Sequence, residues 1–144
     1  METRQRRRNE DERYLRAARK YAVSYMSNAK WRKLFATIDE AGIEIEKAVW
    51  RFIDGDEAFA WGWPDADELD EARLKDGRFQ PVEYKWIEAI FVPREYQPDG
   101  YQHVPHAVRR QDVAGILSVL RRTSQYMVEE DADGITILGY GRRS

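Results

Sequence analysis

The stretch from Val82 to Val92 constrains the fold more than any other part of the chain. Val82, Tyr84, Trp86, Ile90 and Val92 fall at alternate positions, with Glu88 interrupting them, so a strand would place them on one face. Ile87, Ala89 and Phe91 make the opposite face apolar too. A strand that is apolar on both faces is covered on both and belongs in the middle of a sheet. The chain must therefore supply neighbouring strands and a packed layer, and 144 residues are enough for one such domain.

Those partners are legible. Residues 48–54 read as a strand, Asp54-Gly55-Asp56 as a turn, and Phe59, Trp61 and Trp63 alternate with Ala58, Ala60 and Gly62. The pattern predicts a hairpin ended by Pro64. A second hairpin is predicted from 126–128 and 135–138. Ser27 and Asn28 are helix-capping residues. Trp31, Leu34, Phe35 and Ile38 then follow at helical spacing, and Gly42 is placed to stop the helix. Val113, Ile116, Leu117 and Leu120 mark another amphipathic helix. Asn9 with Glu12 predicts a helix over 10–26 after a disordered basic tail. Asp65 with Glu68 predicts a short acidic helix through Lys75. Residues 93–105 read as a long loop. The class is α+β: a mainly antiparallel sheet with amphipathic helices packed on one face.

Charge divides the chain. Met1 to Tyr25 carries eight basic and four acidic residues, whereas Ile38 to Asp76 is strongly acidic and holds Trp50, Phe52, Phe59, Trp61 and Trp63. No cysteine is present, which excludes disulfides, thiolate catalysis and cysteine-based zinc sites. No segment is apolar for long enough to span a membrane, and the arginine-rich start lacks the apolar core of a secretory signal. A cytoplasmic protein with no membrane contact and no cofactor is the expectation.

The run Met26-Ser27-Asn28-Ala29-Lys30-Trp31-Arg32-Lys33-Leu34-Phe35 resembles the opening of a family of small bacterial proteins of uncharacterised activity, whose members begin at a Met before an Asn-x-Lys-Trp-x-x-Leu-Phe motif. The likeness continues through Trp61-Gly62-Trp63 and covers Met26 to the C-terminus. The resemblance implies no activity. It implies a division into residues 1–25, a basic extension of tail plus helix, and residues 26–144, a single α+β domain with Met26 as an alternative start. The competing reading packs the first helix onto the domain.

Four groups of residues could carry chemistry. Asp54 or Asp56 with Glu83 and Lys85 resembles the Asp…Glu-x-Lys set of restriction-endonuclease-like nucleases, in which carboxylates hold a divalent ion and the lysine helps activate water. Glu-x-Lys is also a common pair on a solvated strand. His103 and His106 are the only histidines and could be zinc ligands, but zinc needs three or four donors and Pro105 lies between them. Asp54, Asp56, Glu57, Asp65, Asp67, Glu68, Asp70 and Glu71 form an acidic series that does not fit an EF-hand loop. It could dock a basic protein or be a solvated face. Arg6, Arg7 and Arg8 could touch phosphate, and nucleic-acid contact is expected only through them.

These readings converge on a non-catalytic protein-binding module, immunity- or antitoxin-like. It would dock a basic partner through Asp54, Asp56, Glu57, Trp63, Asp65, Asp67, Glu68 and Glu71. The alternative is a metal-dependent nuclease using Asp54 or Asp56, Glu83 and Lys85.

Overall fold

The computed structural model describes residues 2–74, 81–98, 104 and 107–143. Its elements run α1 (Glu2–Ala18), β1 (Tyr21–Ser24), α2 (Asn28–Glu40), β2 (Ala48–Phe52), β3 (Ala58–Trp61), β4 (Ile87–Pro93), β5 (Glu95–Tyr96), β6 (Arg109–Arg110), α3 (Val113–Thr123), β7 (Val128–Glu130), β8 (Gly134–Leu138) and β9 (Tyr140–Arg142). Single 3-10 turns lie at Ala66–Glu68 and Tyr84–Trp86.

The main sheet has the order β3-β2-β4-β8-β7, and every pair in it is antiparallel. Its centre is β4, as the two-sided apolar pattern requires. Trp50, Ile90 and Ile137 stand side by side across β2, β4 and β8 and are fully buried. Helices α2 and α3 cover that face. Phe35 of α2 stacks on Trp50 at 5.9 Å, and Ile116, Leu117 and Leu120 of α3 join the same core. The Ser27 hydroxyl caps α2 by accepting the Lys30 N–H, and Gly42 turns the chain away at φ +72°, where a side chain would be strained. The chain is therefore α+β with helices on one face of an antiparallel sheet.

Three local expectations give way to tertiary packing. The first helix does not run from 10 to 26: it occupies Glu2–Ala18, and Tyr21–Ser24 forms a strand against β9. Strand pairing buries Tyr21 beside Tyr140, which a continued helix would not do. The Arg-rich start is helical rather than a tail. The acidic helix is cut to one turn, because residues 72–74 pair with 82–84 through Leu74 N–H to Val82 O and Tyr84 N–H to Ala72 O. The third change is at Tyr84–Trp86. A strand would hold both rings on one face, but Tyr84 belongs to the main core and Trp86 to a second cluster with Ala17, Tyr21, Ile53 and Tyr140. The 3-10 turn lets the two rings enter different clusters.

That second cluster fastens α1 and β1 to the sheet. Tyr14 packs edge-on against Trp86 at 5.6 Å, and its hydroxyl lies 2.9 Å from that of Tyr140. Tyr140 gives its proton to the Lys85 carbonyl, so Tyr14 is the donor to Tyr140. Arg142 donates to the buried Glu88 carboxylate at 2.8 Å. Burial first, and then the Glu88 carboxylate, push the Tyr21 hydroxyl up to about 12.

Two outcomes follow for stability. Tyr140→Phe leaves the Lys85 carbonyl and the Tyr14 hydroxyl without their partner and costs about 1–3 kcal/mol in urea unfolding. The neutral form of Tyr21 is favoured by folding, so its contribution is complete below its ordinary value near 10 and is lost as pH rises to about 12. The urea midpoint should therefore fall across that alkaline interval, and Tyr21→Phe should flatten the fall.

Candidate docking surface

The β2–β3 hairpin builds the region that holds most of the candidate residues. Its four register pairs run without a bulge from Ala48 opposite Trp61 to Arg51 opposite Ala58. The side chains of Trp50, Phe52, Phe59 and Trp61 form one aromatic group on the helix-covered side: Phe52 lies 5.8 Å from Phe59 and 5.3 Å from Trp61. This group borders an open cleft of about 490 Å³. Phe52, Phe59, Trp61 and Trp86 line it, with Asp54, Glu83, Arg13 and Arg73. The Arg13 guanidinium stacks over Trp86 at 4.8 Å.

The acidic series falls into two groups, one beyond each end of β3. Asp54, Asp56 and Glu57 are exposed in the turn before it, and Asp65 and Asp67 are exposed after it. Among the described residues, Asp54, Asp56, Glu57, Asp67 and Glu71 make no ion pair. Asp56 is near enough to Tyr21 and Arg142 for its charge to be felt at both. Glu71 is exposed further along, and its carbonyl accepts Arg32.

Glu68 is withdrawn from the surface, and Trp63 is partly covered. Glu68 is 7 % exposed, and its carboxylate accepts the Asp65 N–H at 3.1 Å. The Asp65-x-x-Glu68 spacing makes that cap, and the same cap takes Glu68 off the surface. Trp63 is half-buried with its ring 5.1 Å from Phe35 and 6.1 Å from Trp50, and its indole N–H has no acceptor among the described residues.

The nuclease set is partly assembled. Asp54 and Glu83 line the same cleft, and the Lys85 ammonium is 3.9 Å from Glu83. Glu83 and Lys85 do not share the strand face that a Glu-x-Lys pair on a strand would have, because the 3-10 turn begins between them. Lys85 also lies over the Tyr14 ring at 4.6 Å. Carboxylate oxygens of Asp65, Asp67 and Glu68 come within 4.8 Å of one another, the only such group among the described residues. A hard cation takes six or more oxygens, and Glu68 is already committed to its cap, so these three fit a resident metal poorly. His103 and His106 lie outside the described residues. Arg6, Arg7 and Arg8 are exposed along α1.

Arg13 and Arg73 were absent from the sequence-based candidates. Nothing local marks either: Arg13 meets Trp86 only because Tyr14 and Tyr140 dock α1. Both the cap and the exposed series are open to a direct check. Glu68→Ala should lower stability by about 1 kcal/mol through loss of the cap, whereas Asp67→Ala should stay within about 0.5 kcal/mol of the parent in the same urea titration.

No helix among the described residues is long and apolar enough to cross a membrane. Compared with family models, curated proteins and solved structures, the chain matches none.

Proposed function

We propose that this chain is a non-catalytic protein-binding module, immunity- or antitoxin-like in its mode, that docks a basic partner around β3. One observation carries the reading: exposed carboxylates bracket a half-buried aromatic strand at both ends, with Asp54, Asp56 and Glu57 on one side and Asp65 and Asp67 on the other. Carboxylates of one sign attract a basic partner over roughly 10 Å before contact. Phe59 and Trp61 then supply the desolvated contact that slows release. Glu68, buried in its cap, supports this surface from beneath, and half-buried Trp63 continues the aromatic contact beyond Trp61.

A second reading is the metal-dependent nuclease, favoured by the meeting of Asp54 and Glu83 in one cleft. The pairing of Glu83 with Lys85 and the missing strand face count against it. Incubation with plasmid DNA and Mg²⁺ should leave the DNA intact. Cleavage that disappears in Glu83→Ala would reverse the order of the two readings.

The binding reading is tested by affinity capture from the source cell lysate at low and high salt, with bound proteins identified by mass spectrometry. A stoichiometric basic partner should be held at low salt and released at high salt. Joint reversal of Asp54, Asp56, Glu57 and Asp67 to Lys should slow its association by about tenfold or more while leaving the fold intact. Unchanged affinity in the reversed protein sinks the proposal.

A further inference from the structure

We infer that the partner binds by strand addition: an extended basic segment pairs with the outer edge of β3 and becomes a sixth strand of the main sheet. The inference rests on the binding reading above and specifies its geometry.

The two edges of the sheet are unlike. At one end β7 is three residues long and carries Glu129 and Glu130, both exposed. Charge on a short edge strand is a standard guard against unwanted pairing. At the other end β3 reads Ala-Phe-Ala-Trp, with no charge, no proline and no bulge. Every second residue of an edge strand turns its N–H and C=O away from its neighbour. No other described strand pairs with the outer side of residues 58–60. The side chains at Ala58 and Ala60 are exposed and small, so they do not obstruct an approaching backbone.

Charge selects the occupant. Strand β3 spans about 13 Å at roughly 3.3 Å per residue, and carboxylates wait beyond each end. A segment with lysine or arginine at both ends and an uncharged centre meets both groups while its backbone pairs with β3. A second copy of this chain does not fit. Antiparallel pairing of two β3 strands would set Asp56 and Glu57 of each copy against Asp65 and Asp67 of the other. In the cleft that Phe59 and Trp61 line, the Arg13 guanidinium already sits on the Trp86 ring, a cation held by an aromatic face.

The test uses the full chain and three synthetic eight-residue peptides. The first has alternating Thr and Val at its centre and two lysines at each end. The second replaces a central Val with Pro, which removes a backbone donor. The third carries glutamates in place of the lysines. Binding is followed by titration, and amide exchange at Ala58, Phe59 and Ala60 by NMR. The lysine peptide should bind and slow exchange of the outward amides by about tenfold. The proline peptide should bind about tenfold more weakly. The glutamate peptide should not bind, and high salt should weaken the lysine peptide. Joint Ala58→Lys and Ala60→Lys, at exposed positions, should cut its affinity about tenfold without unfolding the chain. Equal, salt-sensitive binding of the lysine and proline peptides with no protection at β3 overturns strand addition and leaves the charge reading standing. No binding of the lysine peptide at any salt overturns the inference, and so does β3 protection that appears on concentrating the protein alone.

Discussion

The contact on which most of this molecule depends is the aromatic column that joins α2 to the sheet. Trp31 stacks on Phe35, Phe35 stacks on Trp50, and Trp63 and Tyr84 close around the same Phe35 ring. Each ring buries a large apolar area, and the offset and edge-on arrangements add to that burial. The column sets the height of α2 above β2. Phe59 and Trp61 are half-buried, each packed on Phe52 and on the other's ring.

A separate polar set attaches the N-terminal elements. The hydroxyls of Tyr14 and Tyr140 and the Lys85 carbonyl form a chain of hydrogen bonds, and Glu88, Arg142 and Tyr21 form a charged neighbour to it. These groups lie between β1, β9 and the main sheet, where an unmet donor or a lone carboxylate would be costly. The arrangement leaves α1 with one buried face near its C-terminal end and exposed arginines along the rest. Its contribution to the docking region is Arg13, which adds a positive charge to a cleft flanked by carboxylates.

Legibility differed with the range of the interactions that decide each element. Helix α2 and the central position of β4 rest on periodicity within one segment, and Trp31, Leu34, Phe35 and Ile38 are all buried as that periodicity requires. The hairpin β2–β3 rests on a local turn and was equally readable. Tyr84 and Trp86 could not be read in the same way. Their spacing is that of a strand, and only the presence of two separate clusters, one of them built from α1 and β9, explains the turn between them. The acidic residues show the limit within a single motif. The Asp65 and Glu68 spacing marks a cap, but a sequence does not say that making the cap withdraws Glu68 from solvent. Trp63 keeps the company its alternation with Trp61 suggests: both are half-buried against Trp50, and Trp63 adds an edge contact to Phe35.

The unlike edges of the sheet bear on stoichiometry. Filaments and ladders of sheets grow when an assembly presents a new sticky edge after each addition. Here the β7 edge ends in glutamates, and the β3 edge lies between carboxylates that repel their own kind. In the proposed complex, neither edge of the main sheet would offer a matching strand to the next copy. Under the proposed strand addition, the main sheet would be completed once, by something unlike itself, and growth would stop at a one-to-one complex.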